Sequence, residues 1–194
     1  RDDAEIVYYT RHYQLKPGVT EPVRDASLPS TGDIGYLKFG VFPGDNGNFA
    51  IIICLPVGEE VLKRAVREGA VFDAICRSIP GLERWIAADK AVATTDAFGI
   101  GDIESVWRHY LHNGVPVAEN FFAVGDAAIR TNPLYGRGCS TGILHAHLLA
   151  QVLDEVADAP GRARRFAAVT EREIRPIFAA SLAEDKRGIQ RAKA

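Results

Sequence analysis

The sequence has no methionine and only three cysteines among its 194 residues. Cys54, Cys76 and Cys139 are odd in number, widely spaced and free of any C-x-x-C pair. This pattern argues against a disulfide framework and a zinc site, and it is typical of a reducing compartment. We therefore expect a cytoplasmic protein. Because no initiator methionine is present, we also expect a segment of a longer polypeptide.

The sequence also has little excess of either charge and no long apolar run. The formal net charge is −2, and lysine and arginine are scattered without a basic stripe. This distribution argues against nucleic acid and a membrane surface as partners. The longest apolar run, Phe49–Val57, is far shorter than the ~20 residues of a membrane span. The first residues, RDDAE, lack the apolar region of a signal peptide.

Strand patterns dominate the first part of the chain. No G-x-G-x-x-G motif follows an early strand, so the usual dinucleotide fingerprint is not in this sequence. β-Branched and aromatic residues predict strands at Ile6–Leu15, Ile34–Phe42 and Asn48–Leu55. The residues Asp45-Asn46-Gly47 predict a hairpin between the last two strands, because they tolerate positive φ.

Helical patterns dominate the remainder. Further elements are predicted as short helices at Gly58–Glu68, Val71–Ser78 and Gly81–Ala88, strands at Ala91–Phe98 and Phe121–Gly125, and helices at 138–157 and Arg162–Lys193. The last helix is expected to begin after an interruption at Pro160-Gly161 and to kink at Pro176. Strands followed by helices indicate an α+β fold with an antiparallel or mixed sheet that contains a hairpin.

The stretch FFAVGDAAIRTNPLYGRGCSTG, residues 121–142, carries the most chemical information. An apolar run ends at Gly125-Asp126, and a loop with Pro133, Gly136 and Gly138 leads into a helix that begins with small residues. Such a loop exposes backbone N–H groups and a helix N-terminus to a polar or anionic ligand. The pattern favours a bound cofactor.

This motif resembles the second flavin-binding motif of FAD-dependent monooxygenases of the p-hydroxybenzoate hydroxylase superfamily, G-D-A followed by P-x-x-G-x-G. The segments VYYTRHYQL, FPGDNGNFAI, FDAICRSIPGLERWI and FAAVTEREIRPIFAASLAED also look like the middle and C-terminal parts of such proteins. The resemblance implies that part of the FAD-binding domain is present and that its N-terminal Rossmann half is missing.

The resemblance implies a set of FAD-binding residues: Gly125, Asp126, Pro133, Gly136, Gly138, Cys139, Ser140 and Thr141. The Asp126 carboxylate would accept hydrogen bonds from the ribityl hydroxyls, and Pro133 would lie beside the flavin ring. The helix beginning near residue 139 would direct its positive end at the pyrimidine edge of the ring. Many relatives have histidine where this chain has Ile129, so no role of that imidazole is carried over.

The implied organisation has three regions. Residues 1–118 form a substrate-side sheet region with short helices at 57–88, residues 119–157 form an FAD-binding strand–loop–helix segment, and residues 158–194 form C-terminal helices. The expected partners are the N-terminal FAD-binding half of the same protein and a small-molecule substrate. Alternate residues of the first strand, Tyr8, Thr10 and His12, face either a substrate pocket or ordinary sheet packing.

The implied activity is that of an NAD(P)H-dependent monooxygenase that hydroxylates or epoxidises an apolar or aromatic small molecule. The fragment alone is expected to be inactive. Because the cofactor carries the chemistry, we predict no catalytic side chain here. Alternatives are a geranylgeranyl-reductase-like enzyme, a halogenase and a non-catalytic binding domain.

Two other patterns in the sequence indicate different chemistry, and neither fits. Gly138–Gly142 fits the G-x-S-x-G nucleophile elbow of hydrolases, but a loop precedes it instead of a strand, and no histidine follows His147, which lies only seven residues after Ser140 in the same predicted helix. His145 and His147 are two residues apart on a helix, so they cannot bind one metal from one face. We predict that the histidines are ordinary core or surface residues and that no metal site is present.

Overall fold

The computed structural model describes residues 2–193. Its strands are β1 (Asp2–Asp3), β2 (Ile6–Leu15), β3 (Thr31–Asp33), β4 (Lys38–Pro43), β5 (Asn48–Pro56), β6 (Ala91–Ala93), β7 (Phe98–Ile100), β8 (Glu104–Trp107), β9 (Leu111–His112), β10 (Val115–Pro116) and β11 (Ile129–Arg130). Its helices are α1 (Glu60–Ala65), α2 (Gly69–Arg77), α3 (Pro80–Ile86), α4 (Gly138–Glu155) and α5 (Ala159–Lys193). These elements confirm the predicted α+β class.

The chain divides into two units. The sheet unit comprises residues 5–103 and 189–193, and the turn–helix unit comprises residues 2–4 and 104–188. Helix α5 contributes residues to both units.

The sheet unit contains an antiparallel sheet in the order β3-β4-β5-β2-β6, with β7 also paired to β2. Strands β4 and β5 form the predicted hairpin, and its turn contains Asn46 at φ 57° and Gly47 at φ 73°. In β2, β4 and β5 the odd-numbered residues share one face, because Tyr9 pairs with Ile53, and Ile53 pairs with Phe39. This odd-numbered face forms the core of the unit with residues of α2 and α3.

A polar network joins β2 to α2 at the edge of this core. The Nη1 atom of Arg11 donates to Asp73 Oδ1 at 2.8 Å and to the Gly69 carbonyl at 2.6 Å. The Tyr13 hydroxyl donates to the same carboxylate oxygen at 2.7 Å. Burial, with the hydrogen bond to Asp73, raises the pKa of Tyr13 above its ordinary value. The network therefore provides hydrogen-bond partners and an opposite charge for the Arg11 guanidinium, which interrupts the apolar face of β2.

The turn–helix unit contains the strands β1-β8-β11, the hairpin β9-β10, helix α4 and most of α5. Its core lies between α4 and α5, where Leu148 and Val152 belong to the same buried cluster as Phe166, Val169 and Ile174. These residues recur at helical spacing, which explains why the sequence indicated both helices.

Several predicted elements differ from the observed ones. The predicted strand Phe121–Gly125 is not a strand: the backbone is extended at Val124, with φ −126° and ψ 155°, but it pairs with no strand of residues 2–193. The predicted strand Ala91–Phe98 is divided into β6 and β7. Helix α5 begins at Ala159 instead of Arg162, because proline is tolerated in the first turn of a helix and Pro160 lies there.

Over the part of the chain that the structure describes, no helix is both long enough and apolar enough to cross a lipid bilayer.

Candidate functional site

The Gly125-Asp126 pair lies in a 3₁₀ turn, Gly125–Ala127, that leads into β11. Gly125 has φ +57°, a conformation that favours glycine. A Cβ atom at Gly125 would lie 3.6 Å from the Cα atom of Gly142, so the turn packs backbone to backbone against α4. Gly142 therefore belongs to the site, although the sequence motif did not predict it as a cofactor-binding residue.

Three polar side chains hold this turn by hydrogen bonds. The Nη1 atom of Arg108 donates to the carbonyls of Asp126 at 3.1 Å and Ala127 at 3.3 Å. The Tyr110 hydroxyl donates to the Ala127 carbonyl at 2.9 Å. The Gly125 N–H donates to Nδ1 of His145 at 3.2 Å. The turn is therefore fixed before any ligand binds.

The Asp126 side chain is exposed and lies beside the start of α4. A Cβ atom at Gly138 would be 3.8 Å from Asp126 Oδ1. A carboxylate accepts hydrogen bonds only, so Asp126 is suited to hydroxyl or amide donors on a ligand.

The loop between the turn and α4 is anchored by Asn132. This buried side chain accepts a hydrogen bond from the Leu134 N–H at 3.1 Å, which caps the 3₁₀ turn Pro133–Tyr135. Its Nδ2 atom donates to Asp185 Oδ1 of α5 at 2.8 Å. Pro133 is exposed, and Gly136 ends the turn at φ +62° with open space where a side chain would be.

The first turn of α4 contains the remaining predicted residues. Gly138, Cys139 and Ser140 are exposed, Thr141 is partly buried, and the side chain of Arg137, the N-cap residue, makes no capping hydrogen bond. Its first N–H groups can therefore donate to an anionic or carbonyl ligand. Ser140 lies within a helix that a 3₁₀ loop precedes, so the strand that a hydrolase elbow requires is absent from this described segment.

The structure thus brings the turn with Gly125 and Asp126 against the start of α4, and six of the eight predicted residues are exposed: Asp126, Pro133, Gly136, Gly138, Cys139 and Ser140. Sequence reasoning did not identify Arg108, Tyr110 and His145 as residues that hold the turn. Their contacts join residues 17 to 20 positions apart in the chain, and no local pattern indicates such pairings.

A cavity of about 280 Å³ lies within the turn–helix unit. Five of its lining residues are aromatic: Trp107, Tyr110, Phe121, Phe122 and Phe166. None of the eight predicted residues lines it. The cavity reaches His145 and Ala128, the interior neighbours of the turn.

In the sheet unit, the predicted alternation along β2 is observed. Tyr8 and Thr10 are buried on the even-numbered face, and His12 is exposed with its ring stacked on Phe98 at 5.7 Å. Among residues 2–193, no three histidine, cysteine, aspartate or glutamate side chains cluster to form a metal site.

Comparisons with solved structures identify the fold. HpxO from Klebsiella pneumoniae, complexed with FAD and uric acid, matches 97% of this chain with TM-score 0.61 and 18% identity. Pseudomonas aeruginosa pqsL, described as a probable FAD-dependent monooxygenase, matches 97% with TM-score 0.59 and 20% identity. The flavin-dependent halogenase CmlS matches 92% with TM-score 0.64 and 15% identity.

The chain spans 45% of HpxO, 50% of pqsL and 31% of CmlS. No family model and no curated protein matches it. The fold is that of a portion of the FAD-dependent monooxygenases and flavin-dependent halogenases. At the level of fold, this result confirms the resemblance drawn from the motif.

Proposed function

We propose that this chain is a portion of an FAD-dependent monooxygenase and supplies the second flavin-binding motif. The observation that carries the proposal is the prearranged turn, which holds an exposed carboxylate beside a helix N-terminus whose N-cap residue, Arg137, makes no side-chain capping hydrogen bond. The shared fold supports it, because HpxO was solved with FAD.

The chemistry of the exposed residues fits FAD. Asp126 offers a hydrogen-bond acceptor for the hydroxyls of the ribityl chain, and the first N–H groups of α4 offer donors for the electron-rich edge of the ring. Gly136 and Gly138 leave the backbone uncovered, so a flat ring can approach it closely. Bound FAD would supply electron transfer and reaction with dioxygen. The residues of this chain would bind, orient and shield it.

We propose that the upstream FAD-binding half of the same protein packs along residues 121–124. These residues form no helix or strand of the described chain, the backbone is extended at Val124, and the Phe121 side chain is 52% exposed. Such a segment beside a cavity with aromatic residues is suited to receive another strand, since the exposed Phe121 side chain offers apolar surface to a partner.

We propose that an apolar or aromatic small molecule is oxygenated against the even-numbered face of the sheet unit, with NAD(P)H as the electron donor. Exposed apolar side chains on this face, Phe42, Phe98 and Ile100, support an apolar ligand. A cytoplasmic location remains a prediction from cysteine usage.

The test uses the complete protein with its upstream half. The wild-type protein is expected to purify with the flavin absorbance band at about 450 nm. Asp126→Ala is expected to lose most of its flavin while the far-ultraviolet circular dichroism spectrum is unchanged. Asp154→Ala changes another exposed aspartate of the turn–helix unit and serves as the matched control. Full flavin occupancy in Asp126→Ala would contradict the assignment.

Halogenation is the second candidate, because flavin-dependent halogenases are among the structures that share the fold. Mass spectrometry of products formed from aromatic compounds with bromide present distinguishes an added oxygen from an added halogen. NAD(P)H oxidation without oxygen uptake would instead indicate a reductase. A complete protein that binds no flavin would indicate a non-catalytic domain.

A further inference from the structure

His145 is the most deeply buried polar side chain that contacts the turn. Its exposed fraction is 1%, although it lies on α4 only seven residues after the exposed helix start at Gly138. Its ring stacks on Phe166 with the centroids 4.7 Å apart. Nδ1 accepts from the Gly125 N–H at 3.2 Å, and Nε2 lies 3.0 Å from Thr170 Oγ1 on α5. The ring therefore connects the turn to α5.

The hydrogen bonds specify the protonation state of this ring. Nδ1 must keep its lone pair to accept from the Gly125 N–H, so the single proton of the neutral ring is on Nε2 and is donated to Thr170. A doubly protonated ring would direct an N–H group at the Gly125 N–H, and the turn would lose its acceptor. Only the neutral ring fits the observed geometry.

We propose that neutral His145 is a positioning residue that holds Gly125 and Asp126 in their ligand-ready conformation, and that its protonation releases the turn. The consequence for FAD rests on the proposed function, whereas the consequence for the turn does not. Ligand binding at the exposed turn would therefore depend on the charge of His145, although the ligand does not touch that side chain.

The surroundings of the ring determine the direction of the pH dependence. Burial lowers the pKa of His145 below its ordinary value. The charged and titratable groups of the elements around it are Asp126 of the turn, Arg108, His109 and Tyr110 of the segment after β8, and Glu171 of α5. His147, on the same helix, is exposed.

A lowered pKa fixes the sign of the effect. The stability contributed by the neutral ring is fully present above the ordinary histidine pKa of about 6.5. It is lost as the pH falls through the lower pKa of the folded state. The turn is therefore expected to be firm at neutral pH and to loosen under acidic conditions.

The first experiment measures the turn by NMR on the present chain. At pH 7.5, ¹⁵N chemical shifts are expected to show an unprotonated Nδ1 and a protonated Nε2 at His145. His145→Leu is expected to accelerate exchange of the Gly125 amide hydrogen about fivefold, the effect of losing one hydrogen bond. His147→Leu changes the exposed histidine of the same helix and is expected to leave that exchange unchanged.

A conservative variant separates positioning from packing. The side-chain oxygen of His145→Asn can accept from the Gly125 N–H and does not ionise, so slow exchange is expected to persist at acidic pH. Thr170→Val removes the acceptor for Nε2–H and is expected to shift the proton distribution of the ring, whereas Thr170→Ser preserves it. A proton on Nδ1 at pH 7.5, or equal Gly125 exchange in wild type and His145→Leu, would overturn the proposal.

The second experiment measures flavin retention by the complete protein between pH 7.5 and pH 5. Wild type is expected to release flavin as the pH falls, and His145→Asn to retain it. Equal release by both proteins would overturn the link from the ring to the cofactor. A wild-type protein without flavin at pH 7.5 would refute the proposed function, while the NMR measurements would still decide the role of His145 in the turn.

Discussion

Replacing Asn132 by alanine is expected to destabilise the loop that leads to α4. Asn132 is 3% exposed and its partner Asp185 is 7% exposed, so water cannot readily replace their contact. The variant removes the hydrogen bond to the Asp185 carboxylate and the cap on the Leu134 N–H. Both losses affect the turn–helix unit.

The two contacts give the magnitude. A hydrogen bond to a charged partner contributes about 1.5–3 kcal/mol, and removal of a cap costs about 1 kcal/mol. Asn132→Ala is therefore expected to lower the free energy of unfolding by about 3 kcal/mol. In a double-mutant cycle with Asp185→Ala, the coupling energy is expected to be about 2 kcal/mol.

The assay exploits the distribution of tryptophan. The chain has two tryptophans, Trp85 in the sheet unit and Trp107 in the turn–helix unit. Labelling with 5-fluorotryptophan gives one ¹⁹F signal for each unit, and urea titration follows each unit separately. The Trp107 transition is expected to move to lower urea in Asn132→Ala. A loss below about 1 kcal/mol, or a coupling energy near zero, would refute the reasoning.

Three further predictions concern the sheet unit and the thiols. Asp73→Ala removes the carboxylate shared by Arg11 and a tyrosine hydroxyl, and is expected to cost about 3 kcal/mol in the Trp85 transition; an unchanged midpoint would contradict this. In the native protein only the exposed Cys139 is expected to react rapidly with a disulfide reagent, because burial raises the pKa of Cys54 and Cys76 to about 12; a second fast thiol would contradict this. Since these folded-state values exceed the ordinary thiol value of 9.0, stability is expected to fall as the pH rises from 9 towards 12, and a flat unfolding profile over that range would disagree.

The sequence was sufficient to predict the elements whose stability is local or periodic. The hairpin at Asp45–Gly47 follows from residues that tolerate positive φ, and α4 follows from apolar residues four positions apart. The segment Phe121–Gly125 shows the limit of such reasoning. Its apolar composition predicts a strand, but a strand also requires a neighbour, which no strand of the described chain provides.

The sequence likewise predicted only some of the residues of the candidate site. The motif spacing identified Asp126 and the glycines around the start of α4, while their assignment to FAD remains a proposal. The hydrogen bonds from Arg108, Tyr110 and His145 to the turn depend on how β8, α4 and α5 pack. Single-sequence patterns do not encode that packing.

The register of β2, β4 and β5 has a consequence for engineering. All their residues in the buried cluster have odd numbers, from Phe39 and Val41 to Ile53 and Leu55. A library that randomises even positions such as Thr10, Gly40 and Ile52 would leave that cluster intact. New ligand preferences could then be selected on one side of these strands while the other continues to stabilise the fold.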